Sequence, residues 1–124
     1  MKKEEKKNIA KFYKGDNLIA ETTENAFIGK EENCSICLDD PFVSRKHAVV
    51  EFRRDGIFIR DLNSTNGTFL ITSKSDRTEP LTPYVMVDSE DKVKKLVRKP
   101  EKLKSGDVLL LGTTEILVEI MDLE

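Results

Sequence analysis

The chain of 124 residues has one histidine, two cysteines and no long apolar run. A membrane-spanning helix needs roughly 20 consecutive apolar residues, and no stretch approaches that. The opening Met1-Lys2-Lys3-Glu4-Glu5 lacks the apolar heart of a signal peptide. Two cysteines without such a signal predict a reducing, intracellular setting, nucleus or cytoplasm alike. A zinc site wants four ligands, and His47 is all that adds to Cys34 and Cys37. Nor does His47 have a partner nearby in sequence that would make it a general base. With 21 Lys and Arg against 23 Asp and Glu the net charge is −2, which argues against a generic nucleic-acid binder. No metal, cofactor, small-molecule substrate, catalytic residue, direct nucleic-acid contact or membrane association is expected.

What is present is strand and turn. The length suits one domain with a single core, expected over residues 9–124 behind a charged, flexible tail at residues 1–8. Ile9–Tyr13 and Leu18–Glu21 flank the turn Lys14-Gly15-Asp16-Asn17. Ala26–Ile28 follows; Cys34, Ile36 and Leu38 alternate, as do Ala48, Val50 and Phe52. Arg54-Asp55-Gly56-Ile57 reads as a tight hairpin of the Asp-Gly kind, leading into Ile57 and Ile59. Thr68–Ile71, Val108–Leu111 and Glu115–Met121 complete the pattern, with no helical stretch, which predicts an all-β sandwich. Residues 72–102 break the rhythm with Pro80, Pro83 and dense charge. They read as a long insertion between two core strands, with Tyr84–Val87 and Val93–Val97 able to pair as a hairpin.

Three short blocks at strand ends carry the chemistry: Ile28-Gly29-Lys30, Ser44-Arg45-Lys46-His47 and Asn63-Ser64-Thr65-Asn66-Gly67-Thr68. They supply hydroxyls, an amide and cations, and no carboxylate at these positions. Such a set suits an anion with many acceptor oxygens. A phosphorylated side chain is that anion.

In order and spacing these blocks resemble the forkhead-associated (FHA) domain, a phosphothreonine-binding module. The shared pattern extends from Ile28-Gly29-Lys30 through Asn33-Cys34, Leu38-Asp39-Asp40-Pro41, Ser44-x-x-His47-Ala48 and Asp61-Leu62-x-Ser64-Thr65-Asn66-Gly67-Thr68-Phe69 to Leu103-x-x-Gly106-Asp107 and Gly112. The resemblance implies an eleven-stranded β-sandwich with binding loops at one end, and a phosphothreonine-containing protein as partner. By position, Lys30, Ser44 and Thr65 resemble the phosphate contacts, and Arg45 a phosphopeptide contact. Asn66 resembles the residue that grips the peptide backbone. Gly29, His47 and Gly67 resemble structural supports. Two features depart from the family. Lys30 stands where the family has arginine, so the planar two-pronged contact of a guanidinium is missing. Leu70-Ile71-Thr72 replaces a frequent Asn-Gly, and the segment before Leu103 is longer than usual.

Each residue also has a plainer reading. Ser44 and Thr65 serve equally as turn formers, and Lys30 and Arg45 as solvated surface cations. Cys34-Ser35-Ile36-Cys37 has redox spacing, but it reads as a strand, on which residues three apart face opposite sides, and no helix start lowers a thiol pKa. The run Lys92–Lys104 mixes both signs without interleaved aromatics and reads as a solvated hairpin rather than a nucleic-acid contact. The alternative to a phosphothreonine reader is an FHA-like scaffold that binds a folded partner, or itself, without phosphate.

Overall fold

The structure, a computed structural model, describes residues 7–73, 85–89 and 91–123. All regular structure among them is strand: β1 Lys7–Lys14, β2 Asn17–Thr22, β3 Ala26–Gly29, β4 Ile36–Cys37, β5 Ala48–Arg53, β6 Gly56–Asp61, β7 Thr68–Ser73, β8 Val85–Ser89, β9 Lys92–Leu96, β10 Glu101–Lys102, β11 Val108–Leu111 and β12 Thr114–Leu123. No helix among the described residues is long and apolar enough to cross a membrane.

The strands form two sheets, in the orders β2-β1-β12-β11-β7-β9-β8 and β10-β6-β5-β3-β4. Pairing is antiparallel except between β3 and β4. The all-β sandwich is as expected, with twelve elements rather than eleven; β4 and β10 are only two residues long. β1 starts at Lys7, so Lys7 and Asn8, assigned to the flexible tail, belong to a strand paired with β12, where Lys7 lies opposite Leu123.

Alternation builds the core. Ala10, Phe12, Leu70, Leu109, Leu111, Ile116 and Val118 face inward from the larger sheet, and Ala26, Ile28, Ile36, Ala48, Val50, Ile57 and Ile59 meet them from the smaller. The Val, Ile, Leu and Phe side chains among them suit a pleated, half-buried surface, and burying each of these contributes about 1.5–3 kcal/mol. Cys34, Ile36 and Leu38 are all buried while Ser35, Cys37 and Asp39 are exposed. Only Ile36–Cys37 is strand, however, so Cys34 sits in the turn before it. The hairpin after β5 also differs in detail: its two loop residues are Arg54 and Asp55, and Gly56 already pairs with Arg53.

The segment read as an insertion is more integral than that. β7 and β11 are direct neighbours, so the chain between them does leave and return. Yet β8 and β9 form the expected hairpin and extend the larger sheet, with β9 against β7, and β10 adds an edge to the smaller sheet. Val85, Val93, Val97 and Leu103 are buried. Pro80, Pro83 and Tyr84 lie outside the described residues.

Candidate functional site

The three loops meet at one end of the sandwich through backbone bonds. Past β3, the amides of Lys30 and Glu31 donate to the carbonyls of Ser44 and Arg45, each at 3.1 Å. The His47 amide donates to the Ile28 carbonyl at 2.8 Å, and Leu62 N–H to the His47 carbonyl at 2.9 Å. Gly29 permits this approach: a Cβ built there would overlap the Arg45 carbonyl, so any side chain would force the two loops apart.

His47 is fully buried and ties all of this together. Ser44 N–H donates to its Nδ1 at 3.0 Å, so the ring proton sits on Nε2, which lies 2.8 Å from the Gly67 carbonyl and donates to it. One imidazole thereby links the second loop to the third. Both ring nitrogens are occupied by backbone.

A second layer of supports is acidic. Asp61, at the end of β6, accepts from the Ser64 amide at 3.0 Å, the Ser64 hydroxyl at 2.6 Å and the Thr68 hydroxyl at 2.7 Å. Gly67 N–H donates to the Ser64 hydroxyl at 3.0 Å, and Gly67 adopts φ 85°, which glycine reaches without steric cost. Asp40 is buried at the root of the second loop. It accepts from Phe42 N–H, from the amide and hydroxyl of Thr113, and from the Thr114 hydroxyl, at 2.7–2.8 Å. Phe42 N–H and then the Thr114 hydroxyl hold its carboxyl well below the usual carboxylate range, with burial opposing and Thr113 helping.

Above these supports lie the predicted contact residues. Ser44 and Thr65 are joined: Thr65 N–H donates to Ser44 Oγ at 3.2 Å. Among the described residues, no acceptor takes the hydroxyl proton of either. The Asn66 amide donates one proton to the Phe42 carbonyl at 2.8 Å, leaving its second N–H and its oxygen for other partners. Arg45, Thr65, Asn66 and Lys30 are exposed. Lys30, Ser44, Arg45, Thr65 and Asn66 therefore share one surface, with Gly29, His47 and Gly67 beneath it.

One neighbour escaped the sequence argument. Asp39 Oδ1 lies 3.8 Å from Lys30 Nζ, so a carboxylate does stand beside the loop cation. Both side chains are exposed, and such a pair is worth little in water. The supporting roles of Asp40 and Asp61 have a local signal in the sequence, an Asp three residues before Ser64 and another two before Phe42, the spacing of a side-chain-capped turn.

Each thiol lies against a backbone carbonyl. Cys34 Sγ contacts the Arg45 carbonyl at 3.4 Å and Cys37 Sγ the Lys30 carbonyl at 3.7 Å. Burial, then Glu31, pushes the Cys34 thiol up, away from a reactive thiolate. No cluster of three metal-ligating side chains occurs among the described residues.

The FHA domain family matches residues 26–112, well over half of the chain. This chain is an FHA domain. Its family is one of interaction modules that are generally non-catalytic. Human kanadaptin is 37% identical to it over 59 aligned residues, covering 39% of this chain and 8% of that protein. The chain thus corresponds to a small part of that relative. A solved structure described under phosphothreonine-dependent FHA domain interactions is 25% identical, with a TM-score of 0.61, covering 94% of this chain and 99% of that one. The MEK1 FHA domain in complex with a HOP1 phosphothreonine peptide is 22% identical, with a TM-score of 0.60 and coverage of 91% and 97%. EmbR from Mycobacterium tuberculosis, in complex with a low-affinity phosphopeptide, is 21% identical, with a TM-score of 0.64, and matches 90% of this FHA domain and 24% of its own chain.

Proposed function

We propose that this FHA domain docks reversibly onto phosphothreonine in an extended segment of a partner protein, without catalysis. One observation carries the reading: the Ser44 and Thr65 hydroxyls are coupled through Thr65 N–H, yet both keep a proton to donate, beside the exposed charges of Lys30 and Arg45. Hydroxyls and cations converging on one exposed spot match the acceptor-rich phosphate dianion. Asn66, steadied by the Phe42 carbonyl, has an amide oxygen and one N–H left for the peptide backbone. The threonine methyl would fill a small apolar contact that phosphoserine leaves empty, at a cost of about 1 kcal/mol. The phosphothreonine-dependent interactions described for one structural relative and the phosphopeptides in complex with two others support the same reading.

A phosphate-independent scaffold is the competing function, and the Asp39 carboxylate beside Lys30 favours it, because it offers the loop cation an internal partner. Calorimetry with matched phosphothreonine and threonine peptides decides between them. The phosphorylated form should bind and the plain form should not; equal affinities would establish the scaffold. Phosphothreonine takes up a proton near pH 6, so affinity should also fall between about pH 7.5 and 5.

A further inference from the structure

The outer face of the larger sheet is apolar where the architecture does not require it. On β1, β7, β11 and β12 the residues that alternate with inward-facing Phe12, Leu70, Leu109 and Ile116 point away from the core. Register lines them up across the sheet: Leu18 lies opposite Tyr13, Tyr13 opposite Leu117, Leu117 opposite Val108 and Val108 opposite Ile71. A second row holds Leu110, Phe69 and Leu96. None of these belongs to the core between the sheets, and even Ile71, which is buried, lies outside it. Leu18 on one edge strand and Met86 on the other are 48% and 41% exposed. An antiparallel sheet with one face in water normally carries polar side chains there. The outer face of the smaller sheet obeys that rule, with Glu51 paired to Arg53 at 2.6 Å and to Arg60 at 2.8 Å. Among the described residues, no third layer covers the apolar rows of the larger sheet.

Charge on this face is divided by side. β2 and β12 carry Glu21, Glu115 and Glu119 outward, with Lys11 opposite both Glu21 and Glu119 and Lys7 at the far end of β1. On the other side β9 presents Lys92 and Lys94, opposite Ser73 and Ile71, and Lys94 Nζ sits 5.4 Å from the Phe69 ring centroid. Asp91, in the turn before β9, accepts from the Ser89 hydroxyl at 3.4 Å. The outward positions of β2, β1 and β12 are therefore net negative and those of β9 net positive. Such a face is complementary to itself.

We propose that a second copy of this chain docks on this face, sheet against sheet. β11 is central, with β12, β1 and β2 on one side and β7, β9 and β8 on the other. A two-fold axis running along β11 lays β9 of one copy over β1 of the other, so Lys92 and Lys94 meet Glu21 and Glu119, and Leu18 meets Met86. An axis across the strands would set β9 against β9 and lysine against lysine, which the charges oppose. Strands about 4.8 Å apart and outward rows about 6.7 Å apart give the face roughly 30 by 20 Å, about 600 Å² in projection. That is at the lower end of stable interfaces and predicts a dissociation constant on the order of 10 µM. The pairing does not rest on the phosphothreonine reading of the loops. It adds to that reading, because an axis along the strands leaves both sets of loops at the same end, where a partner with two phosphothreonines gains avidity.

Sedimentation equilibrium of the full chain without peptide, from about 5 to 500 µM, tests the pairing. A monomer–dimer equilibrium is expected. Leu18→Glu, at an exposed edge position, should weaken the dimer at least tenfold while circular dichroism and melting temperature stay as in the parent. Lys92→Glu with Lys94→Glu should also weaken it, and adding Glu21→Lys and Glu119→Lys to that variant should restore association to within about threefold of the parent. A chain that stays monomeric throughout overturns the proposal, as does a dimer indifferent to Leu18→Glu. Open-ended growth beyond two copies, or a charge reversal that its counterpart fails to rescue, overturns it equally.

Discussion

Ser44 and His47 are three residues apart and use their hydrogen-bonding capacity in opposite ways. His47 spends both ring nitrogens inside the protein, on Ser44 N–H and the Gly67 carbonyl. Ser44 accepts one internal bond and keeps its hydroxyl proton available. The same division separates Asp40 and Asp61, saturated by loop donors, from Lys30, Arg45, Thr65 and Asn66 on the surface above. At this end of the sandwich the lower polar layer thus serves the fold, and the upper one keeps the open donors that the proposed ligand would use. Substitutions should tell the layers apart.

His47→Ala strips the lower layer of its central tie. It leaves the Ser44 amide and Gly67 carbonyl without partners and opens a cavity, so stability should drop by about 2–4 kcal/mol and phosphopeptide binding should fall with it. A chemical denaturation midpoint equal to the parent's would show that the layers are not divided as described.

Asp40→Asn probes the same layer through acid. The Asp40 carboxyl titrates below its ordinary range in the folded state, so its contribution is fully present above about pH 4, the unfolded value, and is lost as pH falls further. The parent should therefore lose stability more steeply than the variant below pH 4, while the variant is already weaker at neutral pH. Parallel stability curves from pH 7 to 2 would remove Asp40 from the supports.

In the upper layer, Ser44→Ala and Thr65→Ala should each lower phosphopeptide affinity by about 1.5–3 kcal/mol, the scale of a hydrogen bond to a charged group. Their melting temperatures should stay near the parent's, with Ser44→Ala slightly lower because Thr65 N–H loses its acceptor. Unchanged affinity in either variant would detach that hydroxyl from the ligand.

Lys30 should give the mildest response. Lys30→Ala should reduce affinity and flatten its salt dependence, whereas Lys30→Arg should gain at most about 1 kcal/mol from the forked contact. Asp39→Asn, by removing the carboxylate 3.8 Å from Lys30 Nζ, should strengthen binding by a few tenths of a kcal/mol. A weaker complex after Asp39→Asn would mean that Asp39 orients Lys30 rather than competing with the phosphate.

The sandwich was readable in the sequence because alternation and turn residues are local signals, while the proposed contact set Lys30, Ser44, Arg45, Thr65 and Asn66 came from the order and spacing of three blocks. Ile57 and Ile59 point inward as their spacing demands. What eluded the sequence depends on long-range pairing. The two-residue strand Glu101–Lys102 carries no pattern of its own and exists because Ile59 and Phe58 lie opposite. Likewise, Val93 and Val97 sit within a charged run and reveal their burial only once β9 lies beside β7. The bond from Thr113 and Thr114 to Asp40 spans more than 70 residues of chain, and the charge around Lys30 looked purely cationic until Asp39 was placed beside it.

The pairing of β1 with β12 has a mechanical consequence. Lys7 and Leu123 lie side by side at the far end of β12, whose opposite end, Thr114, is bonded to Asp40 at the root of a contact loop. Ten residues of strand separate the two ends of β12, a span of about 30 Å. A pull applied through Lys7 and Leu123 would load this ladder in peeling geometry, opening its seven registered pairs in succession rather than shearing them all at once. The strand ends nearest the ligand loops would be the last to open. Tension would thus exhaust the ladder before it disturbed the loops of the proposed site.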